Sequence, residues 1–154
     1  MKHPIVGLVL WILLSFAAGW VGSQFTPADW YASLAKPRWN PPGYVFGPVW
    51  SVLYLLMGIA AWLVWKQEGF EGARVALGLF LVQLVLNGLW SYLFFGQHRI
   101  DLAFVEIVGL WLAILATTIA FWRVRPLAGM LLIPYLAWVA FAGALNLQLW
   151  RLNP

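Results

Sequence analysis

Five uninterrupted apolar stretches, each about the length of a bilayer-spanning helix, decide what this chain can become. A span needs about 20 mostly apolar residues at a rise of about 1.5 Å each. The stretches Ile5 to Phe25, Val45 to Trp65, Val75 to Phe95, Leu102 to Trp122 and Pro126 to Trp150 meet that length, and only the fourth carries a charge, Glu106. They are continuous rather than alternating, which excludes a transmembrane barrel with strands of about 10 residues. The expected fold is therefore all-α, an integral membrane bundle of five transmembrane helices forming a single domain over residues 1–154. Composition agrees, with 9% charged residues where soluble domains carry roughly 25%.

Charge and motif content narrow the function classes. The net charge is +4, but the nine Lys and Arg are scattered between apolar runs, which fits membrane surfaces and not nucleic acid. Cysteine is absent, removing disulfides, thiolate metal sites, Cys nucleophiles and c-type haem attachment. There is no P-loop, HExxH, GxSxG or dinucleotide fingerprint, so conventional hydrolase, protease, ATPase and dehydrogenase chemistry has no support and no metal site is expected. His3 is terminal and His98 lies in a loop, neither placed as a buried axial ligand. Met1 to Ser23 imitates a signal peptide, yet its apolar run outlasts an h-region of about 7 to 15 residues, so it reads as a retained span.

Orientation is weakly encoded. Lys2, Lys66, Arg74, Arg123 and Arg125 fall on the N-terminal face, and Lys36, Arg38, Arg99 and Arg151 on the other, a slight lean toward a cytoplasmic N-terminus. Helical spans point to the cytoplasmic membrane if the source is bacterial. An odd helix number without an internal repeat disfavours transport by two rocking halves of one chain.

The connections Lys66 to Arg74, Gly96 to Asp101 and Arg123 to Arg125 are short, making sequential helices antiparallel neighbours. The segment Thr26 to Tyr44 is longer. Thr26-Pro27-Ala28-Asp29 offers an N-cap, a proline at N1 and an acid at N3, predicting a short helix to about Ala35 that Pro37, Pro41 and Pro42 stop. Trp30, Tyr31, Trp39 and Tyr44 make the segment either an interfacial aromatic belt or a lid over a cavity.

Polar and aromatic residues converge at the loop-bearing end. Trp50 and Tyr54 begin the second span; Trp90 and Asn87 lie about 8 and 12 Å deep on the third, and Asn146 and Trp138 about 6 and 18 Å deep on the fifth. Gln83, Asn87 and Trp90 share one helical face, as do Trp138, Ala142 and Asn146. Asn and Gln in hydrocarbon need partners, and alone they read as interhelical glue. Trp50, Trp90 and Trp138 add indoles able to hold part of the bundle open for a flat aromatic ligand. Trp20, Trp62, Trp65, Trp122 and Trp150 sit near span ends as interfacial anchors, while Trp11 and Trp111 suit packing or lipid contact. Glu106, about 8 Å from the loop-side end, is expected to snorkel or to pair with Arg99. Lys36 and Arg38 suit lipid phosphates or ligand carboxylates.

These residues also resemble the tryptophan-rich sensory protein or translocator protein family, the peripheral-type benzodiazepine receptors, over almost the whole chain. The match rests on Trp30-Tyr31, on Lys36-Pro37-Arg38-Trp39-Asn40-Pro41-Pro42, on Val45-Phe46-Gly47-Pro48-Val49-Trp50 with Leu53-Tyr54, on Asn87 with Trp90-Ser91 and Phe94-Phe95, and on Pro134-Tyr135-Leu136-Ala137-Trp138 with Leu145-Asn146. The resemblance implies a five-helix, usually homodimeric protein binding porphyrins and haem, and in some members cholesterol and benzodiazepine-type drugs, in a cavity under the first loop. It implies Trp50 and Trp138 at the porphyrin, Asn87 and Trp90 from the third helix, Tyr31 and Trp39 from the lid, and Ala142 and Asn146 on the same wall. Protoporphyrin IX or haem would be a ligand, with no cofactor required. Family members implicated in light- and oxygen-dependent porphyrin breakdown would carry it on tryptophans matching Trp50 and Trp138; sensing and porphyrin transport are the other roles implied. Leu145 to Arg151 lacks the Tyr of the animal members' cholesterol motif, so cholesterol is not expected as the native ligand.

Overall fold

A computed structural model describes residues 4–25 and 28–154. The elements are α1 (Pro4–Ser23), α2 (Ala28–Ser33), α3 (Gly43–Gly72), α4 (Arg74–Ser91) continued by a π-helical turn (Tyr92–Gly96), α5 (Ile100–Val124) and α6 (Pro126–Leu152). All but α2 are long and apolar enough to cross a membrane, counting α4 with its π turn as one span. The chain is thus an all-α multi-pass membrane protein with a partly helical loop between its first two spans. Helices prevail because hydrocarbon offers no partner to a backbone N–H or C=O, so each segment must satisfy its own. The expected Thr26-Pro27 cap, Lys2 and His3 lie outside the described residues.

The observed spans overrun the expected ones where polar residues continue a helix beyond its apolar run. α3 passes Trp65 through Lys66, Gln67 and Glu68 and turns at Gly69, whose φ of 71° favours glycine. The Ala73 N–H then bonds the Gly69 carbonyl at 3.2 Å, and α4 starts at once.

Around the bundle the order is α1, α3, α6, α5, α4, closing again on α1. Sequential neighbours pair closely for α4 with α5 and α5 with α6, but α3 and α4 meet over less of their length, because α1 packs beside both. The intimacy of α1 and α3 comes from Gly58, where a Cβ would sit 2.5 Å from the Ile12 Cα. Without a hydrophobic force between helices in lipid, such close approach supplies the dispersion contacts that hold them.

The half of the bundle remote from the α1–α3 loop is filled. Met57, Val64, Phe80, Ile114, Phe121 and Ala128 are completely buried, and Phe80 stacks on Phe121 at 5.7 Å between centroids. A second, smaller cluster under the loop combines Phe94, Ile100, Ala103, Leu145 and Leu149 with Trp30, Tyr31, Leu34, Phe46 and Trp90. The π turn helps build it. Its longer repeat, closed by the Gln97 N–H on the Tyr92 carbonyl at 2.8 Å, brings Phe94 and Phe95 against Tyr31 of α2.

Candidate functional site

Between the filled core and the loop, a hydrogen-bond chain crosses the bundle. The Tyr54 hydroxyl of α3 donates to Asn87 Oδ1 of α4 at 2.6 Å, and Asn87 Nδ2 donates to Tyr135 Oη of α6 at 2.8 Å. The Tyr135 hydroxyl donates in turn to Gln83 Oε1 at 2.6 Å. Asn87 and Gln83 share a face of α4, so two rungs of one helix bracket the α6 phenol. Each bond replaces an unsatisfied polar group in hydrocarbon and ties α3, α4 and α6 in one register. Gln83 Nε2 has no partner among the described residues.

Above this chain, toward the loop, aromatic rings line the seam between α3 and α6. Trp50 stacks on Tyr54 at 5.5 Å and meets Tyr135 edge-on at 6.2 Å. One turn along α6, Trp138 meets Phe46 edge-on at 6.0 Å and lies 5.4 Å from Phe141. Trp39 of the loop stands edge-on to Phe141 at 5.6 Å, so loop and wall are continuous. A cavity of about 560 Å³ opens here, lined by Val49, Val52, Leu53, Pro134, Trp138 and Phe141, with Pro48 and Ala137 completing the wall. Its size falls in the range of small-molecule pockets. The wall is apolar, and the Trp138 Nε1–H is buried without an acceptor among the described residues.

The structure brings some of the expected residues together and separates others. Trp50, Tyr54, Asn87 and Trp138 sit along the α3–α6 seam or the chain beneath it. Trp90 bridges the main core and the neighbouring cluster, stacked on Phe94 at 4.9 Å and donating its indole N–H to Asn146 Oδ1 at 2.9 Å. Asn146 Nδ2 donates to the Ile100 carbonyl at 3.0 Å, so this residue ties α4, α5 and α6. Of the three indoles only Trp138 lines the cavity, so they do not ring one hollow. Ala142 packs half-buried against the main core, and Tyr31 rests on Phe94 and Phe95. Lys36 turns back into the loop, its Nζ donating to the Leu34 carbonyl at 3.1 Å and lying 4.7 Å above the Tyr31 ring. Arg38 is exposed, with no ion pair among the described residues.

Glu106 departs from both expectations. Arg99 is taken by Asp101, in two bonds of 3.0 and 2.9 Å that raise the guanidinium further above its usual range. The Glu106 carboxylate neither reaches solvent nor finds a partner among the described residues. Trp111 donates to the Leu136 carbonyl at 3.0 Å, a packing role with a bond its sequence context did not advertise. The residues that sequence reasoning passed over are Tyr135, the hub of the buried chain, and Phe46 and Phe141, which complete the wall. A signal existed for two of them, since Tyr135 and Phe141 lie three residues either side of Trp138 and so share its flank of α6.

The TspO/MBR family pattern matches residues 11–151. The human translocator protein is 48% identical over 158 residues, covering 99% of this chain and 94% of that protein. The tryptophan-rich protein TspO of Chlorobaculum tepidum is 45% identical over 161 residues, covering 100% of both. Protein CrtK of Rhodobacter capsulatus is 45% identical over 139 residues, covering 89% of this chain and 86% of its own. With a family pattern over nearly all its spans and relatives of this identity along its length, the chain belongs to the TspO/MBR family.

Proposed function

We propose that the chain is a membrane tetrapyrrole receptor, binding protoporphyrin IX or haem against the α3–α6 aromatic wall beneath the first loop, and acting as a sensor or regulator. The observation that carries this is the apolar cavity of about 560 Å³ between α3 and α6, walled in part by the Trp138 indole, whose N–H is buried without a partner among the described residues. A flat macrocycle matches such a wall by stacking, and Arg38 is available for a propionate at the aqueous edge. Benzodiazepine-type drugs, also flat and mostly apolar, suit the same wall. The protein would work as a homodimer, in the cytoplasmic membrane if its source is bacterial. In lipid nanodiscs, protoporphyrin IX should quench tryptophan fluorescence saturably; quenching that rises linearly, as with empty nanodiscs, would refute the proposal.

A second reading is light- and oxygen-dependent porphyrin breakdown assisted by Trp50 and Trp138. It is favoured by the stacking of Trp50 on Tyr54, which places a second oxidisable ring against the first. Illumination of the bound complex should then give new bilin-like absorbance that disappears in Trp50→Phe or Trp138→Phe. Equal bleaching without protein would rule this reading out.

A further inference from the structure

The first loop touches the bundle mostly through rings. Trp30 stacks flat on His98 at 4.2 Å and meets Phe94 edge-on, and Trp39 meets Phe141. Such contacts tolerate sliding. Hydrogen bonds do not, and among the described residues those joining residues 28–41 to the five spans all converge on one side chain at the end of α6, Asn153. The Ala35 N–H donates to Asn153 Oδ1 at 3.0 Å, and Asn153 Nδ2 donates to the Ala35 carbonyl at 2.9 Å. One side-chain amide thereby pairs with both polar groups of one loop residue, as a strand would.

The amide is held ready for this. Asn153 Nδ2 also donates to the Leu149 carbonyl at 2.9 Å, and its backbone N–H bonds the Leu149 and Trp150 carbonyls at 3.0 and 3.2 Å. The last turn of α6 thus fixes the side chain before the loop arrives, and the free carbonyls of that turn are satisfied in the same act. Both bonds to Ala35 are exposed, so water competes for them and their release is cheap.

We propose that Asn153 is a positioning residue, a releasable latch that holds the Leu34-to-Pro42 limb of the loop closed while Trp30 and Tyr31 keep α2 seated. The limb carries Arg38 and Trp39, and Trp39 packs on Phe141 of the cavity wall, so its release frees that edge of the α3–α6 wall and sets the rate at which a ligand enters and leaves. This rests on the ligand site proposed above. Since the latch is remade with ligand present or absent, loosening it changes rates more than affinity.

The test uses the full chain in lipid nanodiscs, with protoporphyrin IX as probe. Asn153→Ala should raise the association and dissociation rates together by about tenfold, with the dissociation constant changed by no more than about twofold, since a tenfold change is about 1.4 kcal/mol. Asn153→Asp, which keeps an acceptor for the Ala35 N–H, should fall between. Without ligand, hydrogen exchange at Ala35 and through residues 36–40 should quicken in Asn153→Ala while the core amides of α4 and α6 stay as they were. Unchanged loop exchange overturns the latch, and so does faster exchange throughout the bundle, which would make Asn153 a general stability residue. Failure of protoporphyrin to bind saturably would defeat the ligand site while leaving the exchange experiment to decide the latch.

Discussion

The two ends of the bundle are built to different rules. Away from the loop, Met57, Val64, Phe80, Phe121 and Ala128 are fully buried and close on one another, and a glycine lets two backbones nearly touch. Toward the loop, Trp50, Trp138 and Phe141 are half-buried, a cavity opens between α3 and α6, and a helix-bearing loop leans on the rings. The Tyr54–Asn87–Tyr135–Gln83 chain is the boundary between them. Membrane helices gain no hydrophobic force from meeting, so rigidity comes from close packing and polar ties. Close packing at the far end, the polar chain across the middle and the Trp90–Asn146–Ile100 ties beside the seam allow the α3–α6 side of the loop end to stay open without loosening the bundle.

The largest effect should come from the filled end. Phe80→Ala leaves a void where Phe121 and Trp11 now pack, and is expected to cost about 3–5 kcal/mol in a detergent unfolding series, with the ligand site intact in the fraction that remains folded. A variant that keeps its stability and loses porphyrin would reverse the assignment of the two ends. Next comes the boundary. Tyr135→Phe strands Asn87 Nδ2 and Gln83 Oε1 and should cost about 1–2 kcal/mol, because a buried group left without its partner bears its desolvation penalty. Tyr54→Phe, which strands only Asn87 Oδ1, should cost less. Equal losses would mean that the chain does not act as a connected unit. The smallest effect belongs to Arg38→Gln, expected to weaken protoporphyrin binding about twofold at low salt and not measurably at high salt, since an exposed charge is screened. An effect that persists in high salt would place Arg38 deeper in the site than its exposure allows.

The spans were legible because hydropathy is a cumulative signal: five runs of about 20 apolar residues leave few alternatives. Their ends were less so, since Lys66, Gln67 and Glu68 are good helix formers that carry α3 beyond the apolar run until Gly69 turns it. The face shared by Gln83, Asn87 and Trp90 follows from helical spacing, but not where its members point. Trp90 turns to Asn146, and the partners of Asn87 are tyrosines 33 and 48 positions away, which no local pattern encodes. Glu106 shows the same gap, since Arg99 lies within helical reach yet Asp101 is nearer and already oriented. Aromatic abundance predicted a hollow for three indoles. Packing gave the seam two, because the π turn after α4 supplies Phe94 as a stacking partner for Trp90.

Ligand recognition is proposed to reside at the loop end and on the α6 indole. Protoporphyrin IX titrations of Trp138→Ala and Trp122→Ala in the same nanodiscs test it most directly, because Trp122 lies on the outer surface at the opposite end of α5. Saturable binding is expected in both, about tenfold weaker for Trp138→Ala and unaltered for Trp122→Ala. Equal affinities in the two variants, or a loss confined to Trp122→Ala, would contradict it.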